Sequence, residues 1–335
     1  MPDDRSFCIA THNLDSLDFR ARDADRANQR IDMLAETLTG LNADILCLQE
    51  VNGQKPHGRK PRELLALKLL LARTPYANFH IASSRRQPAD TVYDVHNLVV
   101  ASRWPIRSVR QFQQDLLPPL LCRLATAEPG MTAPVVVPFD RPILYTVIDT
   151  PTPQPLHLIS VHLRAPLATV IPGQKTGQFT WKSLDGWAEG FYLSSLKRSG
   201  QALEVRLLVE QIFTREPQAM IAVCGDFNCE GAEVPLKIVA GALEDGIDGA
   251  LRARQLLSLD DKLPARQRFS LLHGDQPLMF DHIMVSRTLN EHFDHVRIDN
   301  ENLPDETTLA DDDLRSHHAP LSATFIWPPD KTANP

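Results

Sequence analysis

An aspartate and an asparagine stand two positions apart in the segment CGDFNCEG, residues 224–231, directly after the apolar run AMIAV. Asp226 and Asn228 have two interpretations at this place. Both residue types favour turns, because their side chains hydrogen-bond to nearby backbone groups. A carboxylate and an amide so placed also suit the working end of a metal-dependent hydrolase. The segment alone does not decide between a turn and an active site.

Polar residues of the same kinds stand at the ends of other predicted strands. They are Asn13 and Asp15 after the first apolar run, Glu50 after the second, His162 near the end of LHLISVHL, Asp281 at the start of FDHIMVS, and His317 and His318 before the last run. Strand ends gather at the rim of a sheet, where neighbouring carboxylates disfavour joint ionisation. A divalent cation with oxygen ligands relieves that repulsion, so the pattern predicts a site for Mg²⁺ or Mn²⁺. A zinc-protease site is not indicated, because no His pair at i, i+4 spacing accompanies a Glu.

The runs between these positions predict alternating strands and helices. ADILCLQEV is a continuous apolar run, which is typical of a strand buried on both faces. RANQRIDMLAETLTG has apolar residues at helical spacing, with Gly40 as its stop. PRELLALKLLLA predicts a helix with Pro61 in its first turn, and residues 186–213 contain another. Adjoining strands mixed with helices predict an α/β fold in which packed sheets are covered by helices.

The composition is that of a soluble globular protein, with 335 residues of which 43% are hydrophobic and 23% charged. No apolar stretch approaches the roughly 20 residues that cross a bilayer. The net charge of −7 argues against a general basic field that wraps nucleic acid, although the loop KPHGRKPR, residues 55–62, is locally cationic. The five cysteines and the N-terminus predict reduced thiols and a cytoplasmic location. Residues 1–328 are predicted to form one domain, and residues 329–335 a disordered tail.

Seven segments in a fixed order resemble the endonuclease/exonuclease/phosphatase family. They are THNLD, LCLQEV, LVVASRWPI, SVHLRA, CGDFN, FDHIMVS and SHHAPLSATF, and they extend from about residue 7 to residue 327. The resemblance implies a four-layer α/β/β/α sandwich of two mixed sheets flanked by helices, with the site at one edge. It also implies a metal-dependent phosphoester hydrolase in which water attacks phosphorus in line. Asp226 and Asn228 then belong to the site.

The resemblance further implies a role for each site residue. The implied catalytic residues are Asp226 at the attacking water, Asn228 and His162 at the phosphate, and His318 with Asp281 as the acid that orients it. The implied metal ligands are Glu50 and Asn13, the latter holding the metal or the phosphate, with Asp15 as a ligand in some nuclease branches. Candidate substrate contacts are Asn97, Arg103, Lys60 and Arg164.

The sequence departs from the family at His317, where most members have an aspartate before the final histidine. Imidazole suits Mn²⁺ better than Mg²⁺, so His317 as a ligand would favour Mn²⁺. Alternatively His317 points away from the metal, and Asp311, Asp312 or Asp313 supplies the missing charge.

The favoured function is a nuclease or phosphodiesterase, because THNLD has the nuclease-type aspartate and the loop after Glu50 is basic. A phosphomonoesterase, or a lipid-headgroup phosphodiesterase of the sphingomyelinase or inositol-phosphatase type, is the enzymatic alternative. A non-catalytic scaffold of the same fold is the alternative of another class. The sequence indicates no protein partner.

Overall fold

The computed structural model describes residues 6–19, 23–56, 61–152, 154–242, 249–308 and 314–327. The strands are β1 (Ser6–Leu17), β2 (Ile45–Val51), β3 (His80–Ser83), β4 (Asn97–Ser102), β5 (Ile106–Phe112), β6 (Leu121–Cys122), β7 (Val135–Val136), β8 (Ile143–Ile148), β9 (Leu156–His162), β10 (Met220–Asp226), β11 (Leu256–Ser258), β12 (Leu271–His273), β13 (Gln276–Leu278), β14 (Asp281–Ser286), β15 (Phe293–Ile298) and β16 (Leu321–Ile326). The helices are α1 (Ala24–Leu41), α2 (Leu65–Leu71), α3 (Leu184–Arg215), α4 (Val234–Ala240), α5 (Gly249–Ala253) and α6 (Arg287–Asn290).

Two six-stranded mixed sheets form the centre of the molecule. The first has the order β15-β16-β1-β2-β4-β3 and the second the order β11-β14-β10-β9-β8-β5. Helices α1 and α2 pack on the outer face of the first sheet, and α3 and α4 pack on the outer face of the second. The predicted four-layer α/β/β/α sandwich is therefore confirmed.

The central strands are buried on both faces because their side chains alternate between two cores. In β10, Met220, Ala222 and Cys224 lie between the sheets, whereas Ile221 and Val223 pack beneath the outer helices. The same alternation divides β2 between the inter-sheet core and the core under α1 and α2. A continuous apolar run such as ADILCLQEV is thus confirmed as a strand without a solvent face.

Two predicted helix boundaries are wrong. Helix α1 continues through Gly40 and ends at Leu41, and the next residue, Asn42, has a left-handed φ of 46°, a conformation that asparagine tolerates. Helix α2 begins four residues after Pro61, because Glu63 first pairs with Gln54 in an isolated bridge. The helices themselves lie where their apolar periodicity placed them.

Some chain-wide predictions are tested by the structure and others are not. The five cysteines form no disulfide in the structure, and four of them, Cys8, Cys47, Cys122 and Cys224, lie in strands. None of the helices in the described part of the chain is long and apolar enough to cross a bilayer. The tail predicted for residues 329–335 lies outside the described residues, and the single domain and cytoplasmic location stay predictions.

A buried ion pair holds the turn after β10 against β14. His282 is fully buried; its Nδ1 lies 3.0 Å from Asp260 Oδ2 and its Nε2 lies 3.0 Å from the carbonyl oxygen of Cys229. Both partners accept hydrogen bonds, so both ring nitrogens carry protons and the ring is an imidazolium. Burial disfavours that charge, but Asp260 outweighs burial and raises the pKa of His282 to about 9.

We expect Asp260→Asn to lower the free energy of unfolding by about 3 kcal/mol, because it leaves a buried imidazolium without its counter-ion. The folded pKa of His282 is above its unfolded value of about 6.5, so the pair stabilises fully below that pH. The stabilisation is then lost as pH rises through about 9. Urea unfolding at about pH 6 and about pH 10 measures both effects.

The control is Asp261→Asn, which removes a neighbouring carboxylate that lies 3.5 Å from Arg268 at the surface. This variant should differ little from the wild type, since exposed ion pairs contribute about 0 to 1 kcal/mol. If Asp260→Asn lowered the free energy of unfolding by the same amount at both pH values, the ion-pair assignment would be contradicted.

Candidate active site

Three polar residues lie side by side at one edge of the second sheet. Asp226 ends β10, and it pairs in register with His162 at the end of β9 and with Asp281 at the start of β14. Residues that pair across neighbouring strands point to the same face of a sheet. Asp226 comes two residues after Cys224, which lies between the sheets, so the three side chains face the first sheet.

Asn13 reaches this group from the first sheet. It comes four residues after Ile9, which packs between the sheets, so strand alternation directs its side chain across the sandwich. Its Nδ2 donates to Asp226 Oδ2 at 3.0 Å, and its Oδ1 accepts the backbone N–H of Asp15 at 2.9 Å. In this structure Asn13 orients the carboxylate of Asp226, and its implied role as a metal ligand stays a prediction.

Glu50 enters the same space through an irregularity in β2. Strict alternation would place it with Leu48 on the outer face, which α1 and α2 cover. Its φ of 57° is left-handed, and the pairing of β2 with β4 shifts register between Leu48 and Val51. Such a bulge re-aims a side chain, and Glu50 Oε1 comes within 3.7 Å of His162 Nε2. The bulge thus supplies a carboxylate that a regular strand would bury beneath a helix.

The turn after β10 fixes Asp226 and Asn228 together. Asp226 Oδ1 accepts the backbone N–H of Asn228 at 2.8 Å, and Asp226 Oδ2 lies 3.4 Å from His162 Nε2. Asn228 has a φ of 50°, and its Nδ2 donates to the carbonyl oxygen of Leu163 at 3.1 Å. The turn interpretation of CGDFNCEG is therefore correct for the backbone, and the same turn faces the group of polar side chains.

His318 faces Asp226 and is held by Asp281. Its Nδ1 lies 2.7 Å from Asp281 Oδ2, and its Nε2 lies 4.0 Å from Asp226 Oδ2. Burial disfavours a charged ring, but the two aspartates outweigh burial and raise the pKa of His318 to about 10. Burial also raises the pKa of Asp226 to about 7, although His318 opposes that rise. A carboxylate that takes up a proton near neutral pH thus lies beside a charged donor.

Three donor groups form a cluster that fits a divalent cation. Glu50, His96 and His162 each offer one ligand atom, and these atoms lie within 4.8 Å of one another. Burial lowers the pKa of His162 well below its usual value, so its ring is neutral and offers a lone pair. His96 Nδ1 lies 3.6 Å from Glu50 Oε2 and has no hydrogen-bond partner among the described residues. Ser16 donates its N–H and Oγ–H to Glu50 Oε2, as groups around metal ligands commonly do.

The model of the Endonuclease/Exonuclease/phosphatase family matches residues 10–311. This chain belongs to that family. TDP2 from Caenorhabditis elegans has 15% identity and a TM-score of 0.55, over 98% of this chain and 78% of its own. The 3′ phosphatase NExo from Neisseria, bound to a product DNA hairpin, has 16% identity and a TM-score of 0.53, over 96% of this chain and 100% of its own. An AP endonuclease from Archaeoglobus fulgidus has 14% identity and a TM-score of 0.51, over 95% of this chain and 99% of its own. No curated protein matched the sequence.

Two residues at this candidate site are not marked by the sequence motifs. His96 stands directly before β4, with a φ of 57°, and Arg141 stands two residues before β8. The Arg141 guanidinium lies close enough to Glu50 and Asp226 for their charges to raise its pKa, although burial outweighs them and lowers it. The available signal was position, because β4 and β8 are antiparallel to their neighbours β2 and β9 and therefore begin at the edge where those strands end.

The structure does not bring Arg103 to the candidate site. Arg103 follows Ser102, which pairs with Ile45 at the beginning of β2, whereas Glu50 lies near its end. Five residues of extended strand correspond to about 16 Å, so Arg103 lies at the opposite edge of the first sheet. Its guanidinium pairs there with Asp44 at 3.1 Å. The expected substrate contact is corrected accordingly.

The other predicted substrate contacts have different outcomes. Asn97 is buried, and its Nδ2 donates to the carbonyl oxygens of Val51 and Tyr93 at 2.8 and 2.9 Å. It holds the turn that presents the preceding histidine, so a direct substrate contact is not supported. Arg164 lines a cavity beside the donor cluster. Lys60 lies outside the described residues.

Asp15 and His317 form a pair of their own. His317 Nδ1 lies 2.6 Å from Asp15 Oδ2, and neither residue belongs to the three-donor cluster. Burial disfavours the charge of Asp15, but the hydrogen bond with His317 outweighs burial and lowers the pKa of Asp15. The roles of both residues at a metal stay predictions. The alternative source of charge, residues 311–313, lies outside the described part of the chain.

Proposed function

We propose that this family member is a divalent-metal-dependent phosphodiesterase that hydrolyses phosphodiester bonds of nucleic acid. The observation that carries the proposal is Asp226, a buried carboxylate oriented by Asn13 and Asn228 and placed between His318 and the donor cluster. A scaffold without activity has no need of a buried aspartate with a raised pKa beside a buried imidazolium, since both are expensive to bury.

The residues divide the reaction between them. The water oxygen forms a bond to phosphorus as the bond to the leaving oxygen breaks, and Asp226 accepts the proton of the water. His318 donates from Nε2 to the phosphoryl oxygens, whose negative charge increases in the transition state. Asp281 holds the ring and its charge through Nδ1. When bound by Glu50, His96 and His162, a divalent cation supplies charge neutralisation at the phosphate.

Mn²⁺ and Mg²⁺ both suit a site with a carboxylate, and two imidazole donors favour Mn²⁺. We therefore propose Mn²⁺ as the preferred cofactor and Mg²⁺ as the weaker one. The sequence predicted Asn13, Asp15 and His317 as metal ligands beside Glu50. In this proposal the two histidines of the donor cluster, His96 and His162, take their place.

Nucleic acid is favoured as substrate for two reasons. NExo, which has the same fold, is a 3′ phosphatase bound to a DNA hairpin, and another structure of this fold is an AP endonuclease. The cavity beside the donor cluster is also lined by several arginines. The name of NExo supports a 3′ phosphomonoesterase on DNA as the second candidate function.

A substrate panel tests the proposal. Plasmid DNA, single-stranded DNA, RNA, a 3′-phosphorylated oligonucleotide, sphingomyelin and inositol phosphates are each incubated with Mg²⁺ and with Mn²⁺. Metal-dependent cleavage of internal phosphodiester bonds is the expected result. Release of phosphate from the 3′ end alone would favour the second candidate, and no hydrolysis of any substrate would leave the scaffold interpretation.

Glu50→Gln should weaken Mn²⁺ binding by about 100-fold, because it removes the only carboxylate of the donor cluster. Calorimetric titration of the metal-free protein with Mn²⁺ and Mg²⁺ measures the loss. The matched control is Glu36→Gln, which changes an exposed glutamate of α1 and should leave both affinities unchanged. Unchanged Mn²⁺ affinity in Glu50→Gln would rule out the cluster as the metal site.

A further inference from the structure

A cavity of about 640 Å³ opens beside the donor cluster and shares His96 with it. Lys55, Arg86 and Arg141 contribute positive charges to its lining. The chain as a whole has a net charge of −7, so this concentration of cations runs against the overall balance. The cavity therefore carries a local excess of positive charge next to the proposed reaction centre.

The two carboxylates of the cavity lining are already paired with cations other than these three. Asp94 pairs with Arg62 at 2.7 Å. Asp140 lies 3.4 Å from Arg164 and 3.0 Å from Lys197. These two acids therefore leave Lys55 and Arg86 without a carboxylate partner in the cavity wall.

Lys55, Arg86 and Arg141 have no carboxylate within 4.0 Å in the described ranges of the chain. Arg141 donates to the carbonyl oxygen of Leu163 at 3.1 Å, which uses one of its five N–H groups. Lys55 and Arg86 are exposed and therefore accessible to a ligand. Unpaired cations in a concave wall attract anions, and the guanidinium fork matches the oxygens of a phosphate.

We propose that this cavity binds a second phosphate of the substrate, the one that neighbours the reacting phosphate on a nucleic-acid strand. The inference rests on the proposed function, because it takes the reacting phosphate to lie at the donor cluster. Each strand of a nucleic acid has one phosphate per about 3.4 Å of helical rise, so a strand held at the cluster brings its next phosphate within reach of the adjoining cavity. The substrate class is then a chain with at least two consecutive phosphates.

The test measures binding in the presence of Mn²⁺ on the background of Asp226→Asn, so that the cation is kept and hydrolysis is slow. Thymidine 3′,5′-bisphosphate, the two thymidine monophosphates and inositol 1,4,5-trisphosphate are titrated into the full-length protein. The bisphosphate should bind at least about tenfold more tightly than either monophosphate, which corresponds to about 1.4 kcal/mol. The double variant Lys55→Gln/Arg86→Gln should reduce this ratio to about one.

The matched control is Arg85→Gln, which changes the neighbouring exposed arginine outside the cavity and should preserve the ratio. Equal binding of bisphosphate and monophosphates, or a ratio that survives the double variant, would overturn the inference. Inositol trisphosphate that binds more tightly than the bisphosphate in an Arg86-dependent manner would overturn the assignment to a strand. The expected ratio together with no hydrolysis by the wild type would refute the proposed function alone, and cleavage of DNA by the wild type together with equal binding would refute only this inference.

Discussion

Asp226→Asn should lower the turnover number for a phosphodiester substrate by about 10² to 10⁴, the usual contribution of a general base. The substitution keeps the size of the side chain but removes its ability to accept a proton from water. Because the pKa of Asp226 is raised by burial, loss of its charge should not destabilise the fold on that account. The turnover number of Asp226→Asn should therefore fall while its thermal midpoint stays close to that of the wild type.

Hydrolysis of bis-p-nitrophenyl phosphate with Mn²⁺ gives the turnover number, and calorimetry gives the thermal midpoint. Asp149→Asn is the control, because Asp149 follows β8 and pairs with Arg107 at the surface, away from the polar cluster. Near-normal turnover in Asp226→Asn would show that the reaction centre is elsewhere.

His318→Ala should also lower the turnover number by about 10² to 10⁴, because it removes a charged donor to the phosphoryl oxygens. The wild-type enzyme should lose activity as pH rises through about 10, where His318 gives up its proton. Asp281→Asn should move that alkaline limit to lower pH, since Asp281 helps to hold the proton on the ring. The residues act together, so Asp226→Asn/His318→Ala should be little worse than either single variant.

Turnover against pH for the wild type, His318→Ala and Asp281→Asn measures these effects. A purely structural role for Asp281 would lower activity equally at every pH. Turnover losses of the two single variants that multiply in the double variant would contradict joint action on one transition state.

The sequence identifies the residues at strand termini. It does not identify whether the first or the last residue of a given strand lies at the candidate site. Asp226 and His162 each end a strand, so a shared edge could be inferred from their positions, and the structure shows that these two strands are parallel. Arg103 also follows a strand, but β4 is antiparallel to β2, and its last residue lies at the far edge. The same reversal brings His96, at the start of β4, to the donor cluster. Strand direction depends on pairing between distant segments, which the local pattern does not contain.

Glu50 illustrates a second limit of inference from the sequence. Its role was implied by the motif LCLQEV, whereas regular alternation predicts that its side chain lies under the outer helices. The left-handed backbone at Glu50 and His96 re-aims both residues, and neither is a glycine, the residue type that most directly indicates such a conformation. Apolar periodicity therefore predicted the strands, the helices and their packing, and the family resemblance implied the four-layer sandwich, but the complete donor set depended on two backbone exceptions.

The hydrogen bond between Asn13 and Asp226 joins the two sheets. Each sheet alone carries only part of the machinery: Asn13 and Glu50 belong to one, and His162 and Asp226 to the other. A refolding intermediate in which both sheets have formed but have not yet docked would have native-like circular dichroism and no competent centre. Recovery of activity during refolding would thus report the moment at which the two halves of the sandwich close on each other, rather than the formation of either half.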